Sequence, residues 1–136
     1  MRVCLGILAL AACAFSAGAS ASEILNGKLV IRAGQPPAIE LANHNRVLLD
    51  GDETTRAVLA DTRVDGLPVE AQGHYTAPGH FMIGPSHTRA MMVRQDGKVK
   101  MITYWCPVCS LRAYTPGPCV CCYRETDVDL HDPDTP

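Results

Sequence analysis

Five of the seven cysteines in this chain crowd into residues 104–122, Tyr-Trp-Cys-Pro-Val-Cys-Ser-Leu-Arg-Ala-Tyr-Thr-Pro-Gly-Pro-Cys-Val-Cys-Cys. Cys106 and Cys109 form one C-x-x-C. Cys119 and Cys122 form a second, with Cys121 inserted in it, and nine residues separate the pairs. Two short thiolate claws joined by a small loop provide four ligands for a tetrahedral ion. The same crowding argues against a large independent core in this region. Pro107, Pro116, Gly117 and Pro118 interrupt regular structure, so a cross-link must supply the order that packing does not.

The N-terminus bears on which cross-link forms. Arg2 is the only charge before Glu23, Val3–Phe15 is small and apolar, and Ala19-Ser20-Ala21 has the small-x-small form of a cleavage site. The expectation is a secretory signal over residues 1–21. The apolar run is too short to span a bilayer stably, so no transmembrane span is expected. Leu10-Ala11-Ala12-Cys13 also fits a lipobox, which would anchor the chain through a lipidated Cys13. Soluble export to the periplasm or medium is preferred, because the run before Cys13 is short. In such a compartment five mature cysteines cannot all pair within one chain.

About 115 residues follow the leader, the size of one domain with at most a small appendage. The chain has 12 Lys and Arg against 14 Asp and Glu. Without Arg2 the balance is about −3, which excludes the basic surface of a nucleic-acid binder. The partner expected is an unidentified protein or small molecule.

The middle of the chain alternates like a β protein. Leu25, Gly27, Leu29 and Ile31 share one face of a strand over residues 24–32. Short strands are predicted at 38–42 and 46–49. A two-turn helix over 53–59 is capped by Asp52 or Thr54, with Val58 and Leu59 on its apolar side and Thr55 one turn back, and Asp61-Thr62-Arg63 can extend it before Asp65-Gly66 stops it. Strands follow at 67–75, 80–83 and 88–94. Asp96-Gly97 then turns a hairpin whose return strand delivers Trp105 and Cys106. Met91 and Met92, being adjacent, point to opposite faces. His74, His80 and His87 read as surface or turn residues rather than ligands.

Five or six short strands with a helix after the third resemble the OB-fold barrel. The stretch Asp61–Gly73 is similar to the fourth-strand region of small bacterial OB-like domains. The fold expected is therefore mainly β: a small OB-like barrel over residues 22–104 with one short helix, then a cysteine-rich knuckle over 105–124 and an acidic C-terminal tail over 125–136. Tyr123, Val128 and Leu130 are expected to hold the start of that tail down. The stretch Thr103–Asp132 resembles the ending of uncharacterised exported bacterial proteins, a resemblance that implies no activity.

Cys106, Cys109, Cys119 and Cys122 together resemble a zinc ribbon and, less closely, a rubredoxin knuckle. The set departs from both in lacking a glycine after Cys109 and in carrying Cys121, a possible substitute ligand. Zinc is the expected metal, with Arg112 or Arg124 offsetting the thiolate charge. Iron accepts four thiolates and Cu(I) two or three. Two disulfides with Cys121 left over are the metal-free alternative. Trp105-Cys106-Pro107-Val108-Cys109 resembles the thioredoxin active-site phrase, but too little chain follows for that fold. No catalytic motif is evident, so the expectation is a binding or assembly module rather than an enzyme. A periplasmic thiol-redox or copper-handling protein is the alternative.

Overall fold

The computed structural model describes residues 21–136. The leader and the lipidation site expected at Cys13 lie outside the described residues. Among the described residues no helix is long and apolar enough to cross a membrane.

Alternation of apolar and polar residues builds the first half. Strands β1 (Glu23–Val30), β2 (Ala38–Glu40), β3 (Arg46–Asp50), β4 (Pro68–Ala77) and β5 (His80–Ile83) form the barrel, with helix α1 (Glu53–Leu59) between β3 and β4. The strand order is β1-β2-β3-β5-β4, and β4 closes onto β1. The β3–β5 pair is parallel and the other barrel pairs are antiparallel. This is the OB-like barrel expected, with extra strands attached. Leu25, Leu29 and Ile31 from β1 and its end point into the core, as do Val69 and Ala71 from β4.

Closure depends on β1 serving two partners. Residues 23–28 pair with β4, and residues 28–30 pair with β2. Gly27 sits where one partner hands over to the next. A Cβ there would lie 2.2 Å from the Glu40 carbonyl oxygen. Only a residue without a side chain lets these backbones approach so closely.

Local capping chemistry sets α1. The Asp52 Oδ1 accepts from Thr55 N–H at 2.8 Å, and its Oδ2 accepts from Ser86 N–H at 2.9 Å. These bonds hold the Asp52 carboxyl well below the usual carboxylate range, Ser86 contributing most. One side chain thus starts the helix and ties it to the turn after β5. Thr55, Val58 and Leu59 form the buried face. The next residues do not extend the helix: Asp61 caps a separate 3-10 turn over Thr62–Val64.

The chain from 88 onwards was expected to be extended, but it first makes a helical turn, α2 (His87–Ala90). Ser86 adopts a left-handed φ of 66°, and its carbonyl accepts from both Arg89 and Ala90 N–H. The turn rotates His87 inward, so the expectation of a surface histidine fails: only 1% of it is exposed. Its Nε2 lies 3.2 Å from the Ile102 carbonyl oxygen. Burial pushes the His87 pKa below its ordinary 6.5, against the bond to Ile102 and the nearby Asp52 charge. The unfolded chain therefore takes up this proton first as pH falls. Stability is expected to decline below pH 6.5, by at most about 1.4 kcal/mol per pH unit from this group. Urea titrations between pH 7 and 5 check this, and His87→Gln should remove its share of the slope.

Strands β6 (Met91–Gln95) and β7 (Lys98–Cys106) form the predicted hairpin, with Asp96 and Gly97 both at positive φ. Met91 is buried and Met92 half-buried, on opposite faces as expected. Strand β6 lies along β4, which joins the hairpin to the barrel. Strand β7 then carries Ile102 and Tyr104 into the same core. Two further strands flank its end: β8 (Leu111–Ala113) and β9 (Asp127–His131). The segment expected as a tail thus contains a ladder strand. Val128 and Leu130 hold it to the core, whereas Tyr123 does not, being 79% exposed.

Candidate metal centre

Three pieces of chain converge on the cysteine cluster. Strand β7 ends at Cys106, which is fully buried. The turn after it carries Cys109, and the loop between β8 and β9 carries Cys119 and Cys122. The Sγ atoms of Cys106, Cys109, Cys119 and Cys122 all lie within 4.8 Å of one another. The Cys106 and Cys122 sulfurs are 3.6 Å apart. Zn–S bonds of about 2.3 Å in a tetrahedron put sulfurs about 3.8 Å apart. The cluster has the size and donor chemistry of a tetrahedral thiolate site, and its members are the four residues picked out by spacing. All five cysteines are unbonded to one another.

The two claws share a backbone design. In the first, Ser110 N–H donates to the Cys106 carbonyl at 2.8 Å. In the second, Tyr123 N–H donates to the Cys119 carbonyl at 2.9 Å. Each closing residue is left-handed, Ser110 at φ 53° and Tyr123 at φ 58°. These are the positions where glycine turns most knuckles, and the sequence disguises them by placing serine and tyrosine there. The equal four-residue offset from Cys106 and from Cys119 is the signal that reveals them. Left-handed backbone penalises any residue with a Cβ. Tyr123→Gly is expected to stabilise the fold by up to about 1 kcal/mol, because relief of the left-handed strain outweighs the greater freedom of the unfolded chain and the exposed ring has little packing to lose. Thermal denaturation of the metal-loaded protein checks this.

Sulfur charge is met by backbone dipoles. Cys109 N–H points at Cys106 Sγ, 3.5 Å away, and Cys121 N–H points at Cys119 Sγ, 3.4 Å away. The backbone N–H groups of Cys122 and Cys121 lower the Cys119 pKa to about 7. Neighbouring thiols, Cys121 and Cys122 first, push Cys109 upward. Without a cation the cluster accommodates one thiolate far more readily than four. A divalent ion is what would allow the rest to ionise together.

Cys121 itself stands outside the four-sulfur set and is exposed. It contributes its backbone N–H to Cys119 Sγ, while its thiol acts on Cys109 from outside the set. The expectation for Arg112 is also corrected. Its Nη1 donates to Thr103 Oγ1 at 2.6 Å and pairs with Asp129, and its guanidinium lies 5.0 Å from the Trp105 ring centroid. It locks β8 across β7 onto β9 instead of serving a sulfur. Arg124 takes part through its carbonyl, which accepts from Cys119 N–H at 2.7 Å. His74, His80 and His87 are not members of the cluster.

A second set of contacts fixes the knuckle to the barrel. Arg63, in the 3-10 turn, donates through Nη1 to the Thr126 carbonyl at 2.6 Å and pairs with Asp61 through Nε and Nη2. Burial pushes the Asp61 carboxyl up, and Arg63, through its guanidinium and its backbone N–H, contributes most to reversing this. Thr126, itself buried, donates through Oγ1 to the Gly117 carbonyl at 2.8 Å. The Arg63 guanidinium also lies over the Tyr104 ring, 5.6 Å from its centroid. Sequence spacing gives no hint of this link, which joins residues 63 positions apart.

Around the cluster, Val108, Leu111, Tyr114, Val120 and Tyr123 are all exposed. Apolar side chains so placed contribute little to the core. Compared with known proteins, the chain matches no family model, no curated protein and no solved structure.

Proposed function

We propose that this chain is an exported small metal-binding protein whose four-cysteine site holds one zinc ion, and that it acts as a binding or assembly module. The observation carrying the metal reading is the gathering of four Sγ atoms within 4.8 Å, at the end of a core strand. Cys106, Cys109, Cys119 and Cys122 would hold the ion. Bound there, zinc would supply folding energy and rigidity, since four thiolates leave no open position for a substrate. Iron or copper are the alternative metals. The leader-like residues 1–21 support export to the periplasm or medium, and a lipid anchor at Cys13 is the variant of that reading. The exposed apolar side chains around the knuckle favour a protein partner over a nucleic acid. The kinship with exported proteins that share the Tyr-Trp-Cys and C-x-C-C ending belongs to the same proposal.

The exposure of Cys121 favours one second reading, a thiol-redox or copper-handling role in which Cys121 is the reactive thiol. Cys121→Ser separates the two. The structural reading expects one zinc per chain and an unchanged melting temperature in the variant. Loss of metal, or loss of thiol exchange with a small disulfide that the parent protein supports, would favour the second reading.

A further inference from the structure

A cavity of about 520 Å³ lies on the barrel, among residues that the metal site does not use. Its walls come from the loop between β1 and β2, from β3, from the end of α1 and from the start of β5. The volume is that of a small-molecule site.

The lining has two characters. Leu48, Leu59 and Pro36 supply apolar surface. Arg32, Arg56 and Asp50 supply charge, with His80 beside them. Arg56 Nε donates to Asp50 Oδ1 at 2.7 Å. Among the described residues, the terminal Nη atoms of Arg56 have no further partner, and neither has the guanidinium of Arg32. Within the lining two guanidiniums stand against one carboxylate, Asp50, with the charge of Asp52 also reaching Arg56. Guanidinium N–H pairs match the fork of a carboxylate. A doubly charged phosphate would exceed the local charge and would face Asp50.

We propose that this cavity binds a small organic monocarboxylate, its carboxylate held by Arg32 and Arg56 and its apolar body against Leu48, Leu59 and Pro36. The turn that presents Arg32 is formed locally. Gln35 N–H donates to the Arg32 carbonyl at 3.1 Å, and Gly34 takes a φ of 75°. The site is therefore built on barrel elements and is independent of whether the knuckle holds metal.

The test is an NMR titration of the full chain, purified with its metal. Octanoate and phenylacetate are the probes, with phenylacetamide and inorganic phosphate as comparisons. Both acids should shift the amides of Gly34, Gln35, Leu49 and Ala60. Arg32→Gln and Arg56→Gln should each weaken this binding by about ten-fold while leaving the remaining spectrum in place. The proposal is overturned if neither acid binds, if the shifts map elsewhere, or if phenylacetamide or phosphate binds at these residues as tightly as the acids do. Unchanged affinity in both arginine variants would overturn it as well.

Discussion

Replacing Cys106 with serine is expected to empty the metal site and to destabilise the protein by about 4 kcal/mol. Cys106 is the member of the cluster most firmly set by the fold. It is fully buried at the end of β7, whose Ile102 and Tyr104 belong to the barrel core. Its Sγ accepts from Cys109 N–H and lies 3.6 Å from Cys122 Sγ. A serine oxygen is a poor fourth ligand among soft thiolates, and it would leave the other three without the charge balance that a bound cation provides. The effect should spread beyond the knuckle. Strands β8 and β9 both pair with the end of β7, and Arg63 carries Thr126 back to the barrel. Zinc content by atomic emission, with urea denaturation followed at Trp105, measures both consequences. A serine variant with full metal content would place the ligands elsewhere.

The second large effect is expected at Gly27. Gly27→Ala should cost about 3 kcal/mol, at the upper end of what overpacking does. The new Cβ would meet the Glu40 carbonyl oxygen at 2.2 Å and its carbon at 2.9 Å. Both atoms are backbone, so relief requires β1 and β2 to part. Lys28 to Val30 form that ladder with Glu40 to Ala38, and the barrel closes through it. Denaturant midpoint is the measurement. Metal content need not change at temperatures where the variant is folded, which distinguishes a barrel defect from a site defect. By contrast Gly34, at φ 75° with open space around it, penalises a side chain only through its backbone conformation.

Much of this architecture is legible in the residues themselves, because the information is local. Asp52 three residues before Thr55 specifies the start of α1, and Asp96-Gly97 specifies a hairpin. Alternation over Leu25, Leu29 and Ile31 marks the buried face of β1. The cysteine spacing identifies the same four sulfurs that the fold gathers. What the sequence conceals is non-local. Nothing near His87 shows that a left-handed Ser86 turns it inward onto the Ile102 carbonyl. Val128 and Leu130 pack on the core as their apolar character suggests, but nothing local shows that the acidic segment around them forms a ladder with β7. Arg112 lies close in sequence to the sulfurs, but a partner 17 residues away, Asp129, determines where it points. Ser110 and Tyr123 occupy turns that glycine would announce.

The four-cysteine cluster joins these levels. It forms where a strand from the barrel core ends, and it tethers a loop that contributes little core of its own. Its outer surface carries the exposed side chains of Val108, Val120 and Tyr123. Holding that surface in one conformation is what a structural ion would do for a partner that binds there.

The most direct test of the central claim is the mass of the protein, purified from its compartment without reductant or chelator and measured under native and then denaturing conditions. The account predicts one zinc per chain in the native spectrum and, after denaturation, the mass of the fully reduced polypeptide. A metal-free native protein with a denatured mass about 4 Da lower, the signature of two disulfides, would contradict it.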